Sequence, residues 1–340
     1  MLPAFALLLG QAATSDGALQ LHGFVDTYYG LDFNRPANQA SFAEGAGTTG
    51  GRSGEARLNL AELDLLVEPN PVGVHVSLGY GTGIDVLHAS EPFLGPIYQA
   101  YASVRVPVGR GLIVDAGIFS SHVGFESFFS KDNFDYTRSW MGEFSPYYQA
   151  GLRASYAFDE HWSAQLQLLN GWQLAGDNNR AKTIGAQIAW TGERAAVSFN
   201  TLIGPELPGD DSHFRFFSDL VAQARILAWL TVAATADAAL QQGPARNAHW
   251  LAAAAYLRAA LSGVVALAVR IEQFSDPEGA ISGTPQTLRE GTATLEVRPV
   301  APLILKLEAR HDWSTAAVFR GSSDFLTDET LLVASAVASF

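Results

Sequence analysis

The chain has 340 residues, 32 glycines, no cysteine and a formal net charge of −13, with charged residues making up only 16%. The absence of cysteine excludes disulfide bonds and thiolate metal sites, and the negative charge argues against a nucleic-acid surface. Glycines and aromatics combined with so few charges favour β-structure over a helical bundle.

The chain begins with an apolar segment, MLPAFALLLGQAA, that ends in small residues. A secretory signal peptide has such an apolar core and a small-x-small cleavage site, although no Lys or Arg precedes the core here. We therefore predict a signal peptide over residues 1–13 and export of the rest of the chain.

From residue 20 to the end, the sequence alternates apolar residues with small or polar ones. In YQAGLRASYAF (148–158), Tyr148, Leu152 and Tyr156 fall on one face and Gln149 and Arg153 on the other. A period of two predicts β-strands, and segments of about ten residues are typical of tilted strands that cross a bilayer.

The connections between these segments alternate between short and long. Short turns are predicted at 68–73, 107–111, 159–161, 191–194, 227–229, 261–263 and 298–302. Longer loops are predicted near 34–56, 81–96, 120–145, 171–181, 204–212, 241–248, 276–286 and 313–329. The pattern predicts an all-β fold over residues 20–340, a transmembrane antiparallel β-barrel of about 16 strands with short periplasmic turns and long extracellular loops.

A soluble β-sandwich also alternates, because one face of each sheet packs on a core. Two observations favour the membrane barrel: aromatics such as Tyr80, Trp162 and Trp190 lie near segment ends, and charges such as Asp115 and Arg270 lie in the middle of the opposite faces. Aromatic girdles at both interfaces and a water-filled interior explain both. Strands in lipid must close into a ring, because open edges would leave backbone groups without partners.

One stretch, residues 250–271, is long and apolar enough to resemble a transmembrane helix. Arg258 would then lie near the membrane centre, which costs about 2.5–3.5 kcal/mol. Leu261, Ser262 and Gly263 resemble a tight turn, so we predict a hairpin instead.

The last residues, TLLVASAVASF, also alternate. Leu332, Ala334 and Phe340 share one face, and Val333 and Val337 share the other. We predict that this strand closes the barrel and that Phe340 lies in an aromatic girdle.

Several stretches resemble the OmpL-like family of outer-membrane β-barrel porins: GFVDTYYGLDFNRPA (23–37), NLAELDL (59–65), QAYASV (99–104), VGFESFFSKDNFDYTRSW (123–140), LLNGWQLAGDNNRAKTIGAQI (168–188), RIEQFSDPEG (270–279) and EARHDWS (308–314). The resemblance implies a bacterial outer-membrane porin with passive solute passage, in contact with outer-membrane lipid, and it implies no particular solute. A terminal Phe340 resembles the signal that outer-membrane proteins present to the barrel assembly machinery. Association as a homotrimer stays open.

The third long loop, 120–145, is the candidate pore constriction, because it combines several aromatics with many charges. Its charged residues are Glu126, Lys131, Asp132, Asp135, Arg138 and Glu143. Rings of charge and inward-folded loops set selectivity in such channels, so we expect this loop to fold into the lumen.

The pore-lining wall is predicted to carry charges of both signs: Glu62, Asp64, Arg105, Asp115, Arg153, Arg270, Glu272, Lys306, Glu308 and Arg310. Two hypotheses explain these residues. They pair across neighbouring strands and brace the wall, or they form a transverse field that orients polar solutes. The net charge favours a mild preference for cations.

We predict a diffusion porin for small hydrophilic solutes, and two other functions are alternatives to it. The main alternative is a non-conducting structural or adhesive barrel whose long loops bind a partner. A hydrolase is disfavoured, because Ser121-His122 and Ser212-His213 are adjacent pairs whose side chains point to opposite faces, with no third group evident. We predict no enzymatic activity, no cofactor and no metal site.

Overall fold

A computed structural model describes residues 17–340, so the predicted signal peptide over residues 1–13 lies outside the described residues. The strands are β1 (Gln20–Asp32), β2 (Ala56–Val67), β3 (Val72–Tyr80), β4 (Ile97–Val106), β5 (Leu112–Ser120), β6 (Tyr148–Ala157), β7 (Trp162–Leu169), β8 (Thr183–Thr191), β9 (Ala195–Pro205), β10 (Phe214–Leu227), β11 (Leu230–Gln241), β12 (Ala248–Ala260), β13 (Val265–Asp276), β14 (Gln286–Val300), β15 (Leu303–Ser314), β16 (Phe319–Arg320), β17 (Phe325–Leu326) and β18 (Asp328–Ser339). Two short α-helices, α1 (Thr82–Leu87) and α2 (Trp140–Glu143), and two 3₁₀ helices, Pro92–Leu94 and Ser130–Asp132, lie in the loops.

Sixteen of these strands form one closed antiparallel ring in which neighbours in sequence pair with each other and β1 pairs with β18. The remaining two, β16 and β17, form a small hairpin in the last long loop. The predicted barrel is therefore confirmed, including its strand number. Closure satisfies the backbone hydrogen-bonding groups that an open sheet would expose to lipid.

The stretch 250–271 is the hairpin of β12 and β13, with Leu251 opposite Ser275 and Ala260 opposite Ala266. Arg258 points inward and forms an ion pair with Glu296 at 2.6 Å. Within residues 17–340, no helix has both the length and the hydropathy needed to cross a membrane.

The outward faces of the strands are apolar. In β13, Leu267, Val269 and Ile271 are 38%, 37% and 61% exposed, whereas Arg270 and Glu272 lie on the opposite face of the strand and are buried inside the barrel. Contact with hydrocarbon removes this surface from water, which is worth about 25 cal/mol per Å². An apolar outward face of this kind is typical of strands that cross a bilayer.

Large aromatics ring both ends of the outward face. Tyr80 and Trp313 are exposed near the loop ends of their strands, and Trp162 and Trp229 are exposed at the turn ends. Two such girdles mark the two membrane interfaces.

The chain end closes the barrel. Phe24 pairs with Ser339 and Asp32 with Leu331, and the Phe340 amide donates to the Gly23 carbonyl at 3.0 Å. The Phe340 ring lies over Gly23, where an added Cβ would be 2.6 Å from the ring. The seam thus requires a residue without a side chain opposite the last aromatic.

The apolar core lies inside the barrel, under the long loops. One cluster contains Trp140, Phe217 and Trp250, and a second contains Tyr98 and Phe128. Trp140 and Phe128 belong to the loop between β5 and β6, residues 121–147, which we call the inner loop. Packing of this loop inside the barrel is what buries the aromatics.

Candidate functional site

The inner loop folds into the lumen. Its two ends meet where the Ser121 amide donates to the Tyr147 carbonyl at 2.9 Å, and the segment between them crosses the barrel to the inward faces of β13, β14 and β15. This placement agrees with the expectation that residues 120–145 fold inward.

Two wall carboxylates hold the loop by its main chain. Glu308 accepts hydrogen bonds from the amides of Tyr136 and Thr137, and Glu272 accepts from the amides of Trp140 and Met141 at 2.6 Å each. Hydrogen bonds to a charged acceptor contribute about 1.5–3 kcal/mol each. These contacts fix the backbone of the loop without depending on its side chains.

Three wall cations bind the loop's carbonyl groups. Lys306 Nζ donates to the carbonyls of Ser130, Asn133 and Asp135 at 2.9, 2.8 and 3.1 Å. Arg270 donates to the carbonyl of Thr137 at 2.7 Å, and Arg310 donates to that of Arg138. The inward-facing charges of β13 and β15 thus bind both the amides and the carbonyls of the inner loop.

These cations are buried within an ion network. Arg270, which has no exposed surface, pairs with Glu126 of the inner loop at 2.7 Å and with Glu290 at 2.6 Å. Arg310 pairs with Asp312 at 2.8 Å. Removing one partner from a buried network costs about 3–5 kcal/mol, because the other charge is left without compensation.

Glu290 and Asp312 were missing from the predicted wall residues. Asp312 alternates in phase with Arg310, a predicted wall charge on the same strand, and Glu290 alternates in phase with the other buried residues of β14. The alternation itself was therefore the signal that could have found them.

Aromatic contacts attach the loop to the rest of the lumen. Phe128 stacks on Tyr98 of β4 with ring centroids 4.9 Å apart, and Phe125 meets Tyr256 of β12 at 4.7 Å. Phe129 makes an edge contact with Phe24 of β1 at 5.3 Å. The loop therefore packs against several sides of the barrel.

The six charges predicted for the constriction divide into two groups. Glu126, Asp135, Arg138 and Glu143 are largely buried, whereas the side chains of Lys131 and Asp132 are 28% and 37% exposed. Lys131 and Asp132 also lie 3.1 Å apart. They are the members of the set that border open space.

The four buried charges all contact other parts of the protein. Glu143 accepts from Gly47 and Thr48 of the first long loop, and the Arg138 guanidinium stacks over Tyr147 at 4.1 Å. Asp135 accepts from Thr294 at 2.9 Å, and burial raises the pKa of Asp135 to about 7. These charges hold the loop in shape.

The inward faces of β2 to β6 carry partly exposed polar groups. Asp64 contacts His75 at 2.6 Å, and His75 contacts the Tyr101 hydroxyl at 2.8 Å. Asp115 pairs with Arg153 directly opposite on β6 at 2.8 Å. The side chains of Asp64, His75 and Arg153 keep 19%, 10% and 15% exposure, so this side of the lumen is wetter than the side under the inner loop.

The Arg153 guanidinium lies flat over Phe119 at 4.4 Å and Tyr101 at 5.4 Å. Glu62, another predicted wall residue, accepts from Ser77 at 2.7 Å on the same side. Arg105 lies near the turn end of β4, where its Nε donates to the carbonyl of Pro69 in the short turn between β2 and β3.

The inward faces of β7 to β9 are uncharged and rich in amides. Gln187 donates to Asn200 at 2.7 Å and to the His122 carbonyl at 3.1 Å, and Gln167 contacts the His122 ring at 3.0 Å. This side therefore offers hydrogen bonds without charge.

No metal site emerges from these contacts. In the part of the chain that the structure covers, residues 17–340, no three His, Asp or Glu side chains form a group able to hold a metal ion. Ser212, His213 and Asp210 do lie together, but Asp210 and Ser212 both contact the same ring nitrogen of His213. That arrangement lacks the relay of a serine hydrolase, in which the two nitrogens serve different partners.

Comparison with known proteins agrees with this fold. A family model described as "Putative beta-barrel porin-2, OmpL-like" matches residues 18–340, which confirms the predicted resemblance. No curated protein matches the chain.

Solved structures of outer-membrane channels are similar. The channel DcaP of Acinetobacter baumannii superposes with a TM-score of 0.64 at 11% identity, covering 98% of this chain and 100% of that one. An anion-selective porin from Comamonas acidovorans gives 0.63 at 11% identity, covering 96% and 100%. OmpT of Vibrio cholerae in its trimer form gives 0.61 at 10% identity, covering 96% and 100%. At these identities the likeness shows the fold.

Proposed function

Because the chain belongs to the family described as Putative beta-barrel porin-2, OmpL-like, and is an outer-membrane porin, we propose a specific route for its solutes. Small hydrophilic solutes diffuse passively between the inner loop and the inward faces of β2 to β6. The barrel performs no covalent chemistry in this proposal.

The observation that supports this route is the uneven exposure of the lumen. Under the inner loop, Arg270, Glu308 and Arg310 are at most 2% exposed, so no solute contacts them. Across the lumen, Asp64 and Arg153 are partly exposed, as are Lys131 and Asp132 on the loop. The route thus has water-accessible groups of both signs on its two sides.

The proposal divides the wall charges into two groups with different roles. Arg270, Glu272, Lys306, Glu308 and Arg310 brace the inner loop. Only the groups along the proposed route are available to orient a solute.

We expect a mild preference for cations. Along the route, Arg153 has Asp115 as its partner and Lys131 has Asp132, so these charges largely cancel. Asp64 has a histidine partner and, among residues 17–340, no Lys or Arg within ion-pair distance. Glu62 on the same faces also lacks a Lys or Arg partner and Arg105 lacks a carboxylate partner among residues 17–340, so one negative charge remains in excess to favour cations.

Conductance of the purified full chain in planar bilayers tests the proposal. We expect discrete channels whose reversal potential in a salt gradient shows weak cation selectivity. Absence of channels from correctly folded protein would refute the proposal and favour the alternative, a structural or adhesive barrel whose long loops bind a partner.

The proposal extends to insertion of the barrel into the membrane and to its oligomeric state. We propose that Phe340, placed at the barrel seam, is the signal that the barrel assembly machinery recognises. Homotrimers are proposed by analogy with the trimer form of Vibrio cholerae OmpT.

A further inference from the structure

A cavity of about 480 Å³ opens at the loop end of the barrel. It lies between the first long loop, helix α1 and the last long loop, and we call it the mouth cavity. Its lining includes Phe42, Arg52, Arg57, Asp85, Arg320 and Phe325. Its volume falls in the range of roughly 300–1,000 Å³ that small-molecule sites occupy.

Two arginines of the mouth cavity compete for one carboxylate oxygen. Arg52 and Arg57 both donate to Glu55 Oε1, at 2.9 and 2.8 Å. Arg52 also binds two groups of the first loop, Asn38 and Gln39, but Arg57 Nε is buried and has no hydrogen-bond partner in the part of the chain described here. This pair therefore carries one positive charge more than its carboxylate neutralises.

A third arginine is held without a carboxylate. The Arg320 guanidinium lies over the Phe325 ring at 4.9 Å, and across residues 17–340 no Asp or Glu lies within ion-pair distance of it. Stacking fixes the plane of the guanidinium and leaves its N–H groups free for a bidentate anion.

The lining also carries negative charge without cations. Glu44 and Asp85 are both exposed to the cavity, and neither forms an ion pair with any residue that the structure describes. The cavity thus offers unpaired charges of both signs.

Apolar surface completes the cavity. Phe325 is half exposed, and Val86 and Val318 border the same space. Phe42 lies behind them, buried against Trp140 and Arg310. A purely ionic solute would leave this surface unused, and a purely apolar one would leave the charges unpaired, which is costly where they are partly desolvated.

We propose that the mouth cavity binds a small zwitterionic solute with an apolar side chain, such as a free amino acid. The solute carboxylate binds Arg320 and Arg57, the ammonium group binds Asp85, and the side chain lies against Phe325, Val86 and Val318. This inference rests on the proposed function, since it identifies a class of solute that enters the channel.

Equilibrium binding of L-phenylalanine to the detergent-solubilised full chain tests the site independently of conduction. We would titrate it by saturation-transfer NMR beside two analogues, 3-phenylpropionate, which lacks the ammonium group, and phenethylamine, which lacks the carboxylate. 3-Phenylpropionate loses one exposed ion pair, worth up to about 1 kcal/mol, so we expect about fivefold weaker binding; phenethylamine loses its contacts with two arginines, so we expect its binding to be weakened by at least as much.

Two single substitutions separate the two charges of the solute. Arg320→Gln is expected to weaken binding of L-phenylalanine about fivefold and to leave binding of phenethylamine unchanged, whereas Asp85→Asn is expected to weaken phenethylamine and spare 3-phenylpropionate. Arg180→Gln is the matched control, because Arg180 is an exposed arginine of another long loop outside the cavity lining.

The outcomes are distinct for the site and for the channel. Equal binding of all three compounds, no saturable binding of L-phenylalanine, or equal effects of Arg320→Gln and Arg180→Gln would overturn the mouth site. None of these results bears on salt conductance in planar bilayers, so failure of the site and failure of the porin proposal are told apart.

Discussion

Substitution of Lys306 by methionine is expected to release one segment of the inner loop. The Lys306 ammonium group is 3% exposed and donates to three carbonyls, those of Ser130, Asn133 and Asp135. Methionine keeps most of the volume of the side chain and removes all three bonds. The barrel strands keep their own hydrogen bonds, so the effect should be local.

The size of the effect follows from opposing terms. Three bonds from a charged donor contribute about 1.5–3 kcal/mol each, but the wild-type protein also loses the hydration of the ammonium group. Removing one member of a buried charged cluster typically costs about 3–5 kcal/mol. Taking about 3 kcal/mol, the open form of the segment becomes roughly 150-fold more populated.

Thiol labelling measures this population directly, because the natural chain contains no cysteine. Ser130→Cys places a single thiol at a position that is 1% exposed. Its labelling rate by a charged maleimide should rise roughly 150-fold when Lys306→Met is added. Lys182→Met, at a lysine that is 43% exposed on another loop, is the control and should leave the rate unchanged.

A rise of less than about threefold would refute the claim that Lys306 holds the loop. An equal rise with Lys182→Met would show a general loosening of the protein instead. Resistance of the folded barrel to heat in detergent, followed on gels, distinguishes local opening from loss of the barrel.

Three further predictions concern selectivity, pH and the seam. Arg153→Gln should shift the reversal potential in a tenfold KCl gradient toward cations, because Asp115 loses its partner; a shift toward anions would contradict the proposed route. Burial raises the pKa of Asp135 from its usual 3.8 to about 7. Between these two pH values the folded protein keeps a proton that the unfolded chain has released, so the stability of the folded protein falls as the pH rises from 3.8 to about 7. Asp135→Asn should reduce this fall, measured as melting temperature at pH 5 and pH 8; an unchanged pH dependence would assign it to other groups. Gly23→Ala should destabilise the barrel by about 1–3 kcal/mol, because the new methyl group meets the Phe340 ring and the Glu62 carbonyl oxygen. Melting temperature in detergent measures the loss, and an unchanged value would show that both the ring and the neighbouring backbone give way.

The sequence predicted the barrel well, because each strand has its own local signal. Lipid outside and polar groups inside impose a period of two, and each of the seven short turns and eight long loops was visible as a break in that period. The hairpin over 250–271 was recognised by a charge, Arg258, that a helix would have placed in lipid.

The interior was harder to predict, because it depends on contacts between distant residues. Lys306 binds a loop about 170 positions earlier in the chain, and alternation alone says only that its side chain points inward. Five predicted wall charges therefore turned out to lie beneath the inner loop. The short helices of the loops and the hairpin of β16 and β17 were missed for a different reason, since neither has a repeating pattern long enough to detect.

The attachment of the inner loop to the barrel wall has an evolutionary consequence. Lys306 and Glu272 bind peptide groups, which every loop sequence possesses, so this part of the attachment places few demands on the loop's own side chains. Residues at its exposed edge, such as Lys131 and Asp132, can therefore be exchanged without detaching it. Point substitutions at that edge could change which solutes pass through the channel and leave the rest of the barrel unchanged, in evolution or in engineering.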